Sequence, residues 1–85
     1  MKKIELYSTP TCGFCHAAKR LLGDIGICYF EIDISSDPKL RSDMIRNANG
    51  IRTVPQIFVN NEHLGGFSEL YAMQQSGILE KLLKD

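Results

Sequence analysis

Apolar and polar residues alternate over residues 3–8, where isoleucine and leucine are interleaved with glutamate and tyrosine. This period of two predicts a β-strand with one buried face. Over residues 15–25 the apolar positions recur at helical spacing instead, and Gly26 ends that pattern, as a glycine after a helix commonly does. Residues 28–34 are rich in β-branched and aromatic side chains, which favours a second strand. The first unit is therefore strand–helix–strand, a crossover that implies parallel pairing of the two strands.

The middle of the chain predicts a second helix followed by a hairpin. Residues 36–38, Ser-Asp-Pro, are typical of a helix start with proline in the first turn, and the Asn-Gly pair at 49–50 ends this helix. Residues 56–59 predict a short strand, a turn-forming Asn-Asn pair follows, and residues 63–64 lead a fourth strand. So short a connection makes the two strands an antiparallel hairpin.

Two further helices complete the chain. Ser68 is predicted to cap the third helix, and Gly77 separates it from a last short helix that carries Ile78 and three leucines. No repeat, linker or low-complexity segment interrupts the sequence. The 85 residues therefore predict one α/β domain over residues 1–85, in the order β-α-β-α-β-β-α-α, with a four-stranded mixed sheet and helices on both faces.

Composition and charge narrow the range of functions. The chain is 44% hydrophobic and 24% charged, which is ordinary for a globular domain, and its 10 basic and 10 acidic residues cancel. A neutral balance predicts no nucleic-acid partner and no membrane surface, and no apolar run approaches the roughly 20 residues of a membrane helix. The N-terminal residues lack the apolar stretch of a signal peptide. We therefore expect a cytoplasmic monomer in a reducing compartment.

The chain holds three cysteines, and Cys12 and Cys15 stand close together where the strand pattern gives way to the helix pattern. A thiol at a helix start feels the unpaired backbone N–H groups and the positive end of the helix dipole, both of which favour the thiolate. Cys12 is therefore the predicted nucleophile, and Cys15, one helical turn further on the same face, is within reach of its sulfur. The pair predicts thiol–disulfide exchange.

A structural zinc site is the alternative reading of paired cysteines. Zinc needs four ligands, and no second CxxC or CxxH follows the first. Cys28 stands alone, and we expect it to be a small buried hydrophobe on the second strand. Of the two histidines, His16 is predicted to be a half-exposed helix residue and His63 a solvated residue of the hairpin.

The chain resembles the glutaredoxin family over nearly all of residues 3–83. The likeness to the small dithiol members is carried by three elements in the family's order: a CxxC redox motif, a Thr-Val-Pro segment that faces the active site, and a glycine pair followed by an acidic helical turn. In this sequence they stand at 12–15, 53–55 and 65–69. The resemblance implies a thioredoxin-like fold. It also implies a glutathione-dependent thiol–disulfide oxidoreductase that reduces protein disulfides and glutathione mixed disulfides.

Glutathione, the co-substrate that this resemblance implies, is expected to bind beside the redox motif. A cis Val54-Pro55 bond would aim the Val54 backbone at the extended thiol peptide. The γ-glutamyl carboxylate would sit on the amides of Phe67 and Ser68, and its amino group would pair with Glu69. The full predicted set is Phe14, Thr53, Val54, Pro55, Gly66, Phe67, Ser68 and Glu69, with Arg41 or Arg52 for the glycyl carboxylate.

The implied reaction starts with attack of the Cys12 thiolate on a protein disulfide or a glutathionylated protein. The mixed disulfide on Cys12 is then resolved by Cys15 or by glutathione. Further glutathione regenerates the dithiol, and NADPH-dependent glutathione reductase keeps the glutathione pool reduced.

Two positions depart from the common dithiol pattern and keep alternatives open. Gly13 is typical of the monothiol branch, whose members, like some dithiol ones, hold a [2Fe–2S] cluster between two subunits. They do so with the thiolate at the Cys12 position and two glutathiones, so a dimeric cluster carrier is a second hypothesis. Thr9 stands where many members have a lysine that helps bind glutathione. This change favours a third hypothesis, a redoxin of the same fold that is reduced by thioredoxin reductase.

Overall fold

The structure, a computed structural model, describes residues 2–84 without the side chain of Lys84. Within these residues four strands and four helices follow one another in the predicted order. None of these helices is long and apolar enough to cross a membrane. The elements are β1 (Ile4–Ser8), α1 (Gly13–Asp24), β2 (Phe30–Asp33), α2 (Pro38–Asn47), β3 (Gln56–Val59), β4 (Glu62–Gly65), α3 (Phe67–Gln75) and α4 (Ile78–Lys84).

The strands in this part of the chain form one mixed sheet in the order β2-β1-β3-β4. β1 pairs in parallel with β2 and antiparallel with β3, and β3 pairs with β4 as an antiparallel hairpin. Tyr7 lies opposite Gln56, so the carboxyl end of β1 and the amino end of β3 meet at one edge of the sheet. The loop that leads from β1 to Cys12 therefore lies beside Pro55, the residue that precedes β3. This pairing brings Cys12 close to the segment before β3.

Helices α1, α3 and α4 cover one face of the sheet. The alternation of β1 turns Ile4 and Leu6 toward these helices, because successive side chains of a strand point to opposite faces. Burial of Ala18 and Leu22 anchors α1 against them, and with it the redox motif at its first turn. The core cluster comprises Ile4, Leu6, Ala18, Leu22, Ile27, Ile57, Leu70, Leu79 and Leu83.

Helix α2 lies on the opposite face. Tyr7 and Phe58 point that way, and their rings meet edge to face with 5.4 Å between centroids. A small cleft on this face is lined by both rings and by Asn47 of α2. Burial raises the pKa of Tyr7, and the charges of Glu5 and Asp43 act in the same direction. The sheet therefore carries helices on both faces, as predicted.

The prediction that Cys28 is buried on a strand is wrong. Cys28 is exposed and precedes β2, which begins at Phe30. The backbone N–H of Ile27 donates to Leu22 O at 2.9 Å, so the chain is still closing the end of α1 at residue 27. Pairing with β1 starts only where Phe30 lies opposite Glu5.

The predicted cap of the third helix is also wrong. Gly66 is the N-cap of α3 and Phe67 its first residue, so Ser68 lies inside the first turn. The Gly66 N–H donates to Oε1 of Glu69 at 2.7 Å. A carboxylate that reaches back to the N-cap amide is one half of a capping box, and it orders this helix start without a serine cap.

Candidate active site

Cys12 is the N-cap of α1, with an extended backbone at φ −89° and ψ 112°. Its Sγ accepts a hydrogen bond from the backbone N–H of Cys15 at 3.0 Å. This is the position in which serine, threonine or aspartate oxygens usually accept from the first turn of a helix. The side chain is half-buried, so the sulfur is both bound by the helix start and open to a reaction partner. Cys12 therefore lies at a helix start, as the sequence predicted.

Cys15 has a very different environment, because its side chain is fully buried at 0% exposure. Burial, together with the hydrogen bond with the Cys12 side chain, raises the pKa of Cys15 to about 12. The backbone of Thr9 and the charge of Lys19 act in the opposite direction but are outweighed. At neutral pH Cys15 is therefore a shielded, protonated thiol, while Cys12 is the sulfur that a substrate can reach.

A charged network stands next to Cys15 along α1. Ser8 Oγ donates to Glu31 Oε2 at 2.7 Å, and Lys19 Nζ donates to the same oxygen at 2.8 Å. The hydrogen bond from Lys19, helped by that from Ser8, lowers the pKa of Glu31. The same hydrogen bond to Glu31 raises the pKa of Lys19. Lys19 lies one helical turn beyond Cys15, so this network keeps a positive charge near the buried thiol.

The contrast between the two cysteines predicts selective alkylation. In a Cys28→Ser background, iodoacetamide at pH 7 should label Cys12 and react at Cys15 at least about a hundredfold more slowly. Removing Cys28 is necessary because that exposed thiol would also react. Mass spectrometry of time points gives the two rates, with Cys12→Ser in the same background as the control. Comparable labelling of Cys15 in the folded protein would contradict its shielded, protonated state.

Cys12 meets the segment before β3. The thiol donates to the carbonyl oxygen of Val54 at a sulfur–oxygen distance of 3.5 Å. The Val54–Pro55 peptide bond is cis, as the resemblance implied. The Val54 carbonyl group thus lies beside the sulfur of Cys12, at the edge of the sheet where β1 ends and β3 begins.

A cleft of about 480 Å³ opens beside Val54. It brings together eight of the residues predicted to bind glutathione, from the redox motif, the segment before β3 and the start of α3. Sequence reasoning missed Ile51 and Gln56, although Gln56 directly follows Pro55 and stood next to a predicted site residue. The lining residues are Phe14, Ile51, Thr53, Val54, Pro55, Gln56, Gly66, Phe67, Ser68 and Glu69.

The glycine pair lets the two walls of the cleft come close. A Cβ on Gly66 would lie 3.2 Å from the carbonyl oxygen of Pro55, tighter than ordinary packing allows. Gly65 has φ +135°, and a Cβ there would lie 2.7 Å from Oε1 of Glu69. Because the N-cap is glycine, no side-chain oxygen caps the first turn of α3. The N–H groups of Phe67 and Ser68 are therefore left for a ligand.

The two candidate arginines are not equivalent. Arg52 is exposed in the segment that precedes β3, between the cleft-lining residues Ile51 and Thr53. Arg41 is exposed on α2 and does not line the cleft. Arg52 does not line the cleft either, but it adjoins two residues of the cleft wall along the chain.

The aromatic residue of the redox motif forms the outer lip of the cleft. Phe14 is 66% exposed, and its ring lies 5.7 Å from that of Phe67 between centroids. His16, predicted to be half-exposed, is exposed, and its Nε2 lies 2.9 Å from Pro10 O, so it contacts the preceding loop. The two rings make this part of the lip apolar. Of the polar residues that line the cleft, Gln56 is buried, while Thr53, Ser68 and Glu69 are exposed.

Two thiols at the start of a helix, facing a cis-proline segment at the edge of a mixed sheet, define a thiol–disulfide redox protein of thioredoxin-like fold. The family model described as glutaredoxin matches residues 4–64. The chain is 42% identical over 84 residues to glutaredoxin 3 of Escherichia coli (strain K12), which covers 99% of this chain and 100% of that protein. The chain therefore belongs to the glutaredoxin family, whose members are generally oxidoreductases that use glutathione.

Solved structures agree with this assignment. The solution structure of glutaredoxin from Brucella melitensis is 41% identical, with a TM-score of 0.85 over 96% of this chain and 88% of that one. The crystal structure of a buckwheat glutaredoxin–glutathione complex superposes with a TM-score of 0.87 over 98% of this chain and 77% of that one. At 24% identity the latter supports the fold, which is the predicted thioredoxin-like glutaredoxin fold.

Proposed function

We propose that this glutaredoxin is a glutathione-dependent oxidoreductase that reduces glutathione mixed disulfides and protein disulfides, with Cys12 as nucleophile and Cys15 as resolving thiol. The observation that carries the proposal is the position of Cys12. Its sulfur is half-buried, accepts from the N–H of Cys15 at 3.0 Å and lies 3.5 Å from Val54 O, beside a cleft of about 480 Å³. The sulfur of Cys12 therefore lies next to a cleft that is large enough for a short peptide.

In the first step the Cys12 thiolate attacks the glutathione sulfur of a glutathionylated protein. A bond forms between Cys12 Sγ and that sulfur, the original disulfide breaks, and the protein thiolate leaves and takes up a proton. A glutathione thiolate then attacks the same glutathione sulfur, which forms glutathione disulfide and returns the Cys12 thiolate. The N–H of Cys15 stabilises Cys12 as the leaving group, because it already donates to that sulfur.

A protein disulfide requires the second thiol. Attack by Cys12 gives a mixed disulfide with the substrate, and Cys15 then attacks Cys12 Sγ, forming the internal disulfide and releasing the substrate thiol. The hydrogen bond with Cys12 contributes to the raised pKa of Cys15. Once Cys12 carries a substrate this contribution is lost, so the resolving thiol becomes easier to ionise at the stage where it must attack.

Glutathione is expected to lie along the cleft as an extended peptide. The Val54 backbone would pair with the cysteinyl unit, as an added strand does. The γ-glutamyl carboxylate would accept from the uncapped N–H groups of Phe67 and Ser68, where the helix dipole also favours a negative charge. Arg52, which is exposed and lies between the cleft-lining residues Ile51 and Thr53 along the chain, is the proposed partner of the glycyl carboxylate.

The two roles of Glu69 can be separated by substitution. Its Oε1 accepts from Gly66 N, and its charge would attract the γ-glutamyl amino group. Glu69→Gln keeps an oxygen for Gly66 but removes the charge, so the KM for glutathione should rise about tenfold with an unchanged melting temperature. Glu69→Ala should show the same rise and lose about 1 kcal/mol of stability as well. A wild-type KM in Glu69→Gln would mean that this side chain serves only as a cap.

The proposed function is tested by NADPH consumption with a small glutathione mixed disulfide under two reducing systems. With glutathione and glutathione reductase we expect turnover that saturates with the mixed disulfide. With thioredoxin reductase in place of both we expect little or none. The reverse pattern would support the redoxin hypothesis that Thr9 raised. The expected setting is the cytoplasm, with disulfide-containing or glutathionylated proteins as substrates and a monomeric enzyme.

The [2Fe–2S] carrier remains a second candidate because of the surface beside Cys12. A Cβ built on Gly13 meets nothing within 4 Å, so packing within the chain does not require a glycine here. The open space beside Gly13 is available to a bound group or a second subunit. A half-buried sulfur next to open surface fits a shared cluster, which Cys12 would ligate together with glutathione. Reconstitution with iron, sulfide and glutathione should then give a coloured dimer that Gly13→Pro prevents, and a colourless monomer from the wild type would contradict this candidate.

A further inference from the structure

A buried amide lies at the base of the cleft, between its two walls. Gln56, the first residue of β3, is only 2% exposed. Its Nε2 donates to the carbonyl oxygen of Thr53 at 2.9 Å and lies 3.4 Å from Thr53 Oγ1. A Cβ on Gly66 would lie 3.9 Å from the same nitrogen. The amide therefore touches the Thr53 wall and borders the Gly66 wall.

Hydrogen bonds to Thr53 at one end and His63 at the other fix which way this amide points. Nε2 of His63 lies 2.6 Å from Gln56 Oε1, and the His63 ring packs on Phe58 with 5.2 Å between centroids. Thr53 O can only accept, so the Gln56 nitrogen must face it and Oε1 must face His63. Nε2 of His63 is then the protonated nitrogen, and Nδ1 lies 3.4 Å from the amide nitrogen of Asn49. The prediction that His63 is solvated is wrong, because it is half-buried and bonded.

The segment held by this amide lies in neither strand nor helix. Residues 52–55 connect the loop after α2 to β3, and their backbone forms one wall of the cleft next to Cys12. The Gln56 amide supplies a side-chain hydrogen bond to this irregular stretch, one residue before Val54, whose carbonyl oxygen lies 3.5 Å from Cys12 Sγ. A buried hydrogen bond of this kind restricts the backbone edge that an extended thiol peptide would meet.

We propose that Gln56 is a positioning residue for glutathione: it holds the Thr53–Val54 backbone in the conformation that accepts the peptide, and His63 orients its amide. This inference rests on the proposed glutathione-dependent function. Gln56 contacts the binding segment and not the reacting sulfurs, so it should act on the KM and leave the chemistry of Cys12 unchanged. A residue that only satisfied buried polar atoms would lower stability without changing the KM.

The test measures KM and kcat for the small glutathione mixed disulfide in four variants. Gln56→Met is neutral and similar in length but has no amide, and it should raise the KM about tenfold with kcat within about twofold. His63→Phe should raise the KM about threefold, and the double variant should not exceed Gln56→Met, because His63 acts through Gln56. His63→Gln retains an N–H donor and should restore the KM toward wild type.

Two controls make the result specific. Glu62→Gln changes a neighbouring exposed residue of β4 and should leave the KM unchanged. Iodoacetamide alkylation of Cys12, in the Cys28→Ser background, should proceed at the wild-type rate in all variants, since the local environment of that sulfur is not altered. A fall in the Cys12 rate that matches the KM change would overturn the positioning role.

The outcomes separate this inference from the function on which it rests. Absence of turnover in the wild type would overturn the proposed function and the inference with it. Wild-type turnover with a KM for Gln56→Met within twofold of the wild type would overturn the positioning role alone. Should Gln56→Met not fold, as judged by circular dichroism, the two His63 variants decide: a raised KM in His63→Phe that His63→Gln reverses supports the role, and equal values overturn it.

Discussion

Replacement of Cys12 by serine is expected to lower turnover of the glutathione mixed disulfide by at least about a thousandfold, because a serine hydroxyl is not ionised at neutral pH. Cys15→Ser should retain most of this activity, since glutathione itself resolves the mixed disulfide on Cys12. With a protein disulfide as substrate Cys15→Ser should lose most of its turnover, because the internal attack is then impossible. The coupled NADPH assay with each substrate measures both effects.

A loss of stability would not explain the loss of activity in Cys12→Ser. Serine is a good N-cap, and its oxygen can accept from the backbone N–H of residue 15 as Cys12 Sγ does. Cys12→Ser should therefore melt at or above the wild-type temperature while it is inactive. Equal loss in Cys12→Ser and Cys15→Ser with the glutathione mixed disulfide would contradict a step that needs only Cys12.

Replacement of Gly65 by alanine is expected to have the largest effect on stability. Gly65 ends β4 at φ +135°, opposite Ile57, where the β3–β4 register shifts. A Cβ there would lie 2.7–2.9 Å from three atoms of the Glu69 side chain. Backbone strain and the loss of the Glu69 contact with Gly66 should together cost about 2–4 kcal/mol, which lowers the melting temperature by roughly 10–25 °C.

A second glycine provides the matched control for this substitution. Gly23 lies near the end of α1, and a Cβ there meets nothing within 4 Å. Gly23→Ala should raise stability by about 0.5–1 kcal/mol, because alanine loses less conformational freedom in a helix. Thermal unfolding of both variants checks the pair. A Gly65→Ala protein that melts with the wild type would show that Glu69 can move aside without cost, which would weaken the argument for a tightly built cleft wall.

Much of the fold follows from patterns that can be read locally. Strand β1 is an alternation, α1 is a helical repeat ended by Gly26, and the short link between β3 and β4 allows only a hairpin. The order of elements and the mixed sheet were therefore predictable. The ends of the elements were not predictable. The start of β2 depends on the pairing of Phe30 with Glu5, and the start of α3 depends on the hydrogen bond between Gly66 and Glu69.

The candidate site was likewise predictable from the sequence only in part. The spacing of Cys12 and Cys15 and the first turn of a helix follow one another in the chain, so their relation could be predicted. The cleft is built from three separate segments, and eight of its lining residues were named only because the resemblance to glutaredoxins supplied the positions. Gln56 and His63 were missed because neither residue signals by itself that the other lies 2.6 Å away.

The sequence by itself determined the placement of the thiol pair, because a thiol at a helix start and a second thiol one turn later depend only on near neighbours. Tertiary structure decided what distinguishes the thiols: burial and the hydrogen bond with Cys12 raise the pKa of Cys15 to about 12, while Cys12 stays half-buried beside Val54. Burial and contact between distant segments arise only when β1 and β3 pair, and no local pattern encodes the resulting distances.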